Sequence, residues 1–177
     1  NKASIEWLES KINKTILELN DSYSNFRLSE ALMTLYKLIW DDFCSWYLEL
    51  IKPDYQKPID RYTYNKTVEL FEKLLKLLHP IMPFVTEEIW HRLGERKQGA
   101  SICVEQYPVA GKVNDSLIAQ AALSFELITN IREIRARANK KNTETVDAFY
   151  NGSDAFAFTS FTEKIIKLAR HRSQCSS

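Results

Sequence analysis

The sequence predicts a mainly α protein, a helical bundle carrying a small α+β extension towards its C-terminal side. Three observations carry that expectation. Apolar residues recur at steps of three and four through residues 1–93. Glycine and proline are scarce, 4 and 5 in 177 residues, which suits long helices with few interruptions. A composition that is 45% apolar and 12% aromatic can fill a core, which excludes a disordered tail.

The elements follow in order. Ile5, Leu8, Ile12, Ile16 and Leu19 make one stripe of an amphipathic first helix, with Glu6, Glu9, Lys11, Lys14 and Glu18 largely off it. Tyr23-Ser24-Asn25 closes it as a turn. A second stripe through Leu28, Leu32, Leu35, Ile39, Phe43, Trp46 and Leu50 marks a long second helix. It ends at Lys52-Pro53, because the residue before a proline is pushed out of the α region. Residues 53–60 hold Pro53 and Pro58 and read as a loop. A third helix turns Val68, Phe71, Leu75 and Leu78 inward until Pro80 breaks it. Pro83 then starts a fourth helix carrying Ile89 and Trp90. Trp40 and Trp90 are expected in the core. His79, Glu87 and Glu88 are expected to serve helix ends, where their charges suit the dipole.

Four helices with short links form the bundle of residues 1–93. Residues 94–113 read as a connecting loop with a short strand at Ser101–Val104. Residues 114–177 read as a long helix plus a small α+β extension. The helix is capped by Asn114 or Asp115, carries Leu117, Leu127, Ile128, Ile131 and Ile134, and runs to about Asn139. A second strand is expected at Thr145–Tyr150. Ser160 and Glu163 have capping-box spacing and open a last helix through Ile165, Ile166 and Leu168.

Several function classes are unsupported. No apolar run is long enough to cross a bilayer, so no membrane partner is expected. The N-terminus has neither a signal pattern nor an initiator Met, which suggests a piece of a longer protein. Cys44, Cys103 and Cys175 are odd in number and far apart, as suits reduced cytoplasmic thiols. His79, His91 and His171 have no partner at metal-ligand spacing. No glycine-rich phosphate loop or nucleophile motif occurs, so no catalytic residue is assigned.

Three constellations suit RNA. At the end of the second helix stand Trp46, Tyr47, Glu49 and Lys52: an aromatic can stack a splayed base, a carboxylate can accept from an exocyclic amine, and a lysine can meet phosphate. The other reading makes Trp46 core and leaves Glu49 and Lys52 on a solvated helix face. Arg132, Arg135, Arg137, Lys140 and Lys141 form a possible phosphate patch, or equally a solvated helix end rich in cations. Lys11 and Lys14 on the first helix are a third, weaker basic patch.

Two phrases in sequence, Asp41–Pro53 and Leu77–Trp90, resemble the anticodon-binding helical domain of class I aminoacyl-tRNA synthetases, nearest to the valyl branch. Ser10–Ile16, Tyr23–Leu32, Leu35–Trp40, Ser101–Pro108 and Ile131–Asn139 are similar to further segments of that branch. The likeness covers residues 5–108, thins towards 140 and fades beyond. It implies an anticodon-binding helical bundle that holds the anticodon arm of tRNA(Val), with Glu49 facing an anticodon base. It also implies ATP and Mg2+ as cofactors of a cytoplasmic, monomeric parent enzyme, with none in this portion. The catalytic and editing domains of the same polypeptide are the implied protein partners. HIGH-type and KMSKS-type motifs are absent from this sequence, so this portion is expected to be catalytically inert. Two family contact elements, an upstream aromatic and a downstream coiled coil, lie outside the sequence, which implies weak tRNA binding by this portion alone. The alternatives are the same bundle from an isoleucyl or leucyl enzyme, or a helical protein–protein interaction module anchored on Trp46 and Tyr47.

Overall fold

The computed structural model describes residues 1–140 and 159–169, and the chain divides into two compact units, Asn1–Val113 and Asn114–Ser177. The strand expected at Thr145–Tyr150 lies outside the described residues.

In the first unit, α1 (Lys2–Ser24) buries its whole expected stripe, Ile5, Leu8, Ile12, Ile16 and Leu19, with Trp7 beside it. Each such side chain contributes roughly 1.5–3 kcal/mol on leaving water. α2 (Leu28–Tyr36) continues without a break into a π-helical segment, Lys37–Tyr47, and then α3 (Leu48–Ile51). α4 (Arg61–Leu78) and α5 (Pro83–Arg92) follow, with Pro83 in the first turn of α5.

Four contacts fix how these helices run. The Asn1 side-chain amide donates to Thr63 Oγ1 at 3.2 Å, and Lys73 pairs with Glu9 at 3.5 Å, so α1 and α4 run in the same direction. Phe43 stacks on Phe71 at 5.3 Å, and Tyr47 meets Thr67 at 2.8 Å, so the second helix runs opposite to α4. The end of α3, the start of α4 and Asn1 therefore gather at one end of the unit.

The second helix departs from the expected phase. Its wide turns show in two i→i+5 bonds, Leu48 N–H to the Phe43 carbonyl and Ser45 Oγ to the Trp40 carbonyl at 2.8 Å. The buried residues are Ala31, Leu35, Leu38, Phe43, Tyr47, Leu50 and Ile51, with a step of five between Leu38 and Phe43. A stripe drawn at 3.6 residues per turn misses that step. Leu28 and Leu32 are accordingly exposed, and Trp40, expected in the core, is 58% exposed. Trp90 is buried as expected.

α4 is buried on two sides. Leu70, Leu74 and Leu77 are buried together with Leu75, whereas Val68 and Leu78 are only partly covered. Leu75 packs with Trp90 and Ile102, and Phe71, Ile89 and Leu93 close that cluster. His79 stands at the C-terminal end of α4. Thr86 Oγ1 donates to the Met82 carbonyl at 2.8 Å, so it accepts from His79 Nδ1 at 2.7 Å, which fixes the proton on that nitrogen.

The expected strand at Ser101–Val104 is a single 3-10 turn, Ile102–Val104. Glu87 replaces the missing ladder: its carboxylate accepts from Ser101 Oγ at 2.9 Å and from Ile102 N–H at 3.3 Å. Burial works to raise the Glu87 pKa, but hydrogen bonds from Ser101, Ile102 and His91 outweigh it and hold the carboxyl below its ordinary value. Farther on, the Asn13 side chain clamps the chain by accepting from Gly111 N–H at 3.1 Å and donating to the Lys112 carbonyl at 2.8 Å. A Cβ on Gly111 would stand 3.2 Å from the Asn13 amide nitrogen, which explains a glycine there.

In the second unit, α6 (Asp115–Arg137) is capped by Asn114, whose side chain accepts from Leu117 N–H at 3.0 Å. It buries Leu117, Ala121, Ser124, Ile128, Ile131 and Arg135, a regular alternation of four and three. Ile134, expected inside, is exposed. α7 (Thr162–Ala169) packs Phe161, Ile165 and Ala169 inward and sets Phe161 edge-on to Phe125 at 6.1 Å. It begins at Thr162 with the Phe161 carbonyl accepting from Ile165 N–H, so Ser160 stands one residue too early for the expected capping box.

α1 ends in a Schellman turn: Arg27 N–H bonds the Ser22 carbonyl and Phe26 N–H the Tyr23 carbonyl. The left-handed position of that turn, which favours glycine, holds Phe26 at φ 55°, with its side chain in a residue 88% exposed. Phe26→Gly is expected to raise the unfolding free energy by about 1 kcal/mol, measured by urea unfolding. A lowered stability would show that the ring packs within this chain.

Candidate nucleic-acid interface

The structure splits the residues expected at the end of the second helix. Tyr47 is fully buried, and its hydroxyl donates to Thr67 Oγ1, because Thr67 spends its own proton on the Thr63 carbonyl at 2.7 Å. Burial pushes the Tyr47 hydroxyl pKa above 10 against the opposing hydrogen bond with Thr67. Tyr47 is thus a core residue, and the wide turns of the π-helical segment are what bring it inward. Trp46 and Glu49 are half-buried, and Lys52 is exposed at the helix end.

Opposite them stands the first turn of α4. Asp60 caps it, accepting from Thr63 N–H at 2.8 Å and from Thr63 Oγ1 at 2.6 Å. The Thr63 hydroxyl and amide hold the Asp60 carboxyl below its ordinary pKa. Thr63 is buried, while Arg61, Tyr62 and Tyr64 around it are exposed. Tyr55, in the loop between α3 and α4, is more exposed still. Sequence reasoning passed over Tyr55, Arg61, Tyr62 and Tyr64, reading residues 53–60 only as a loop. The available signal was the interleaving of aromatic and basic residues from Lys52 to Lys66.

The other basic constellations are largely occupied. Lys11 pairs with Asp42 at 3.1 Å in a partly covered site. Burial raises the Asp42 pKa, with Lys11 opposing the rise. In the second unit Arg135 is 5% exposed, with Nη1 donating to the Ala169 carbonyl at 3.5 Å. Arg132 donates to the Leu168 carbonyl from Nε at 3.4 Å and from a terminal nitrogen at 3.3 Å. These carbonyls belong to the last described residues of α7. The expected phosphate patch therefore loses Arg135, which occupies the next place of the buried stripe after Ile131. Arg137 pairs with Glu133 at 3.4 Å, and Lys140 follows the left-handed Asn139 that ends α6.

Among the described residues no group of three metal-ligating side chains occurs, and no helix is long and apolar enough to cross a membrane. Arg135→Met is expected to destabilise the second unit by about 1–3 kcal/mol while leaving the salt dependence of RNA binding unchanged. Thermal unfolding and a salt titration check it. A loss of about one unit of salt slope would return Arg135 to the phosphate contacts.

Residues 6–150 match the family described as the anticodon-binding domain of tRNA ligase. The valine–tRNA ligase of Parabacteroides distasonis is 41% identical over 94% of this chain, and that of Phocaeicola vulgatus is 44% identical over 94%. The valine–tRNA ligase of Latilactobacillus sakei is 37% identical over 84% of this chain. The matched region is 19% of the length of the first two relatives and 17% of the third, so the chain spans about a fifth of such an enzyme. The helical bundle, with its aromatic and basic end, and the family match over most of its length agree: the chain belongs to the anticodon-binding domain family of tRNA ligases.

Proposed function

We propose that this chain is the part of a valine–tRNA ligase that holds the anticodon arm of tRNA(Val). The catalytic domain of the same polypeptide then charges the tRNA in an ATP- and Mg2+-dependent reaction, in a cytoplasmic monomer. The observation that supports this best is the meeting of Glu49 and Lys52 with the exposed start of α4 at one end of the bundle. There Glu49 accepts from an exocyclic base amine, Trp46 offers a ring edge or face, and Lys52 meets phosphate. Lys140 and Arg132 are further phosphate contacts in this reading. An isoleucyl or leucyl parent is the nearest rival, decided by competition between tRNA(Val) and tRNA(Ile). The interaction-module alternative is weakened, because Tyr47, one of its two anchors, is buried.

In the intact enzyme, Glu49→Ala is expected to reduce aminoacylation of wild-type tRNA(Val) about ten-fold or more, the value of one lost base contact. An anticodon-mutant tRNA should lose less. Equal losses on both would remove Glu49 from base reading.

In this reading the catalytic and editing domains of the same polypeptide dock on an exposed ridge of the first unit. Leu28, Leu32, Tyr36 and Trp40 form an exposed ridge at steps of four, with Tyr36 and Trp40 stacked at 6.2 Å and Phe26 at its foot. An exposed apolar ridge of this kind marks an interaction surface, and Phe26 keeps its ring there despite a φ of 55°. Trp40 fluorescence, isolated by comparison with Trp40→Phe, is expected to be open to acrylamide quenching in this chain and shielded in the intact enzyme. Equal quenching in both would place those domains elsewhere.

A further inference from the structure

We propose that Tyr55, Tyr62 and Tyr64, with Arg61 between them, form a stacking platform for unpaired RNA nucleotides. This rests on the anticodon-arm reading and extends it to residues that no base-reading role has been assigned. The three tyrosines are 91%, 56% and 56% exposed, and among the described residues none of them touches another aromatic ring. Rings used for the core look different here: Phe43, Tyr47 and Phe71 are stacked on one another.

The first turn of α4 holds these rings in place. Thr63 is locked by Asp60 and by the Asn1 amide, so the backbone of that turn is fixed on two sides. Tyr62 and Tyr64 lie one residue to either side of it, each turned about 100° away from the buried direction. The two rings therefore flank the solvent side of one rigid turn, and Arg61 shares it. Tyr55 stands on the loop that joins this turn to Lys52.

Charge favours a nucleic acid over a protein surface. From Lys52 to Lys66 the chain carries four cations, Lys52, Lys57, Arg61 and Lys66, against two carboxylates. Asp54 pairs with Lys57 at 3.1 Å, Asp60 keeps its charge in the Thr63 cap, and the adjoining Glu69 pairs with Lys66 at 2.7 Å. Arg61 has no ion pair or hydrogen bond among the described residues and is exposed. Aliphatic residues are nearly absent from the segment, with Ile59 alone between Lys52 and Lys66 before Thr67. Flat rings interleaved with cations suit bases that have left the duplex stack, because every base has a face to offer and its phosphate lies close by.

The test titrates this chain with a tRNA(Val) transcript, a short unpaired RNA and a blunt RNA duplex, at low and at physiological salt. Tyr62→Ala, Tyr64→Ala and Tyr55→Ala are each expected to weaken binding to tRNA and unpaired RNA about five-fold or more, the size of one lost stacking contact. Tyr62→Phe should bind like the unaltered chain, and the duplex should bind weakly throughout. These positions are exposed, and circular dichroism confirms that each variant keeps its helices. If the unaltered chain binds tRNA and all three alanine variants match it, the platform is wrong while the anticodon-arm reading stands. A Tyr62→Phe loss as large as that of Tyr62→Ala would assign the effect to the hydroxyl and overturn stacking. If the unaltered chain binds no RNA even at low salt, both readings fall.

Discussion

The seam between the second helix and α4 is the contact on which the first unit depends. Phe43 lies flat on Phe71, and one turn farther Tyr47 reaches Thr67. A regular α-helix would not bring both inward together with Leu35 and Leu38. Between Lys37 and Tyr47 the helix widens to i→i+5 bonding, which adds the extra residue needed between Leu38 and Phe43. Long π-helical runs are rare because their hydrogen bonds are poorly aligned. Here the aromatic packing, worth roughly 0.5–1.5 kcal/mol per ring pair beyond burial, favours that register. The same register carries Trp46, Glu49 and Lys52 to the rim beside α4.

Polar side chains finish the unit where secondary structure cannot. Residues 94–113 have no neighbouring strand among the described residues, so their backbone groups find partners on helix side chains. Glu87 accepts from the Ser101 hydroxyl and Ile102 N–H, Asn13 accepts from Gly111 N–H and donates to the Lys112 carbonyl, and the Lys76 and Glu105 side chains pair at 2.8 Å. Arg96 covers the Trp90 ring at 4.1 Å and donates to the Trp90 carbonyl. A segment with β-like composition thus folds as a turn. Buried amides need a partner, and a helix-borne carboxylate satisfies them as well as a strand would.

Charge in this chain is spent largely on structure, which limits what a count of cations says about RNA. Arg132 and Arg135 answer the last carbonyls of α7, and Lys11 answers Asp42. The formal net charge of +1 fits a domain that relies on a few placed contacts more than on a broad electrostatic field. Phosphate attraction alone would make such a domain a weak, salt-sensitive binder. In the proposed reading, rings and a carboxylate at one end of the bundle are what distinguish unpaired bases.

The sequence by itself determined the helical class, the stripe of α1, the proline-bounded ends of the second and fourth helices, a helix cap at Asn114 or Asp115, and the family. These follow from local rules: periodicity, proline sterics, capping chemistry and two long aromatic phrases. Tertiary structure decided which face of each helix is buried wherever the period departs from 3.6 or two neighbours compete. Trp40 was therefore misplaced to the core, while Tyr47, named among the candidate RNA contacts, is a core residue. Arg135 could have been read from the four-three stripe running through Ile131, had charge not argued against burial. The gathering of Glu49, Lys52, Arg61 and the three tyrosines was beyond sequence reasoning. It depends on α4 running parallel to α1 and antiparallel to the second helix, and that is set by contacts between residues far apart in the chain.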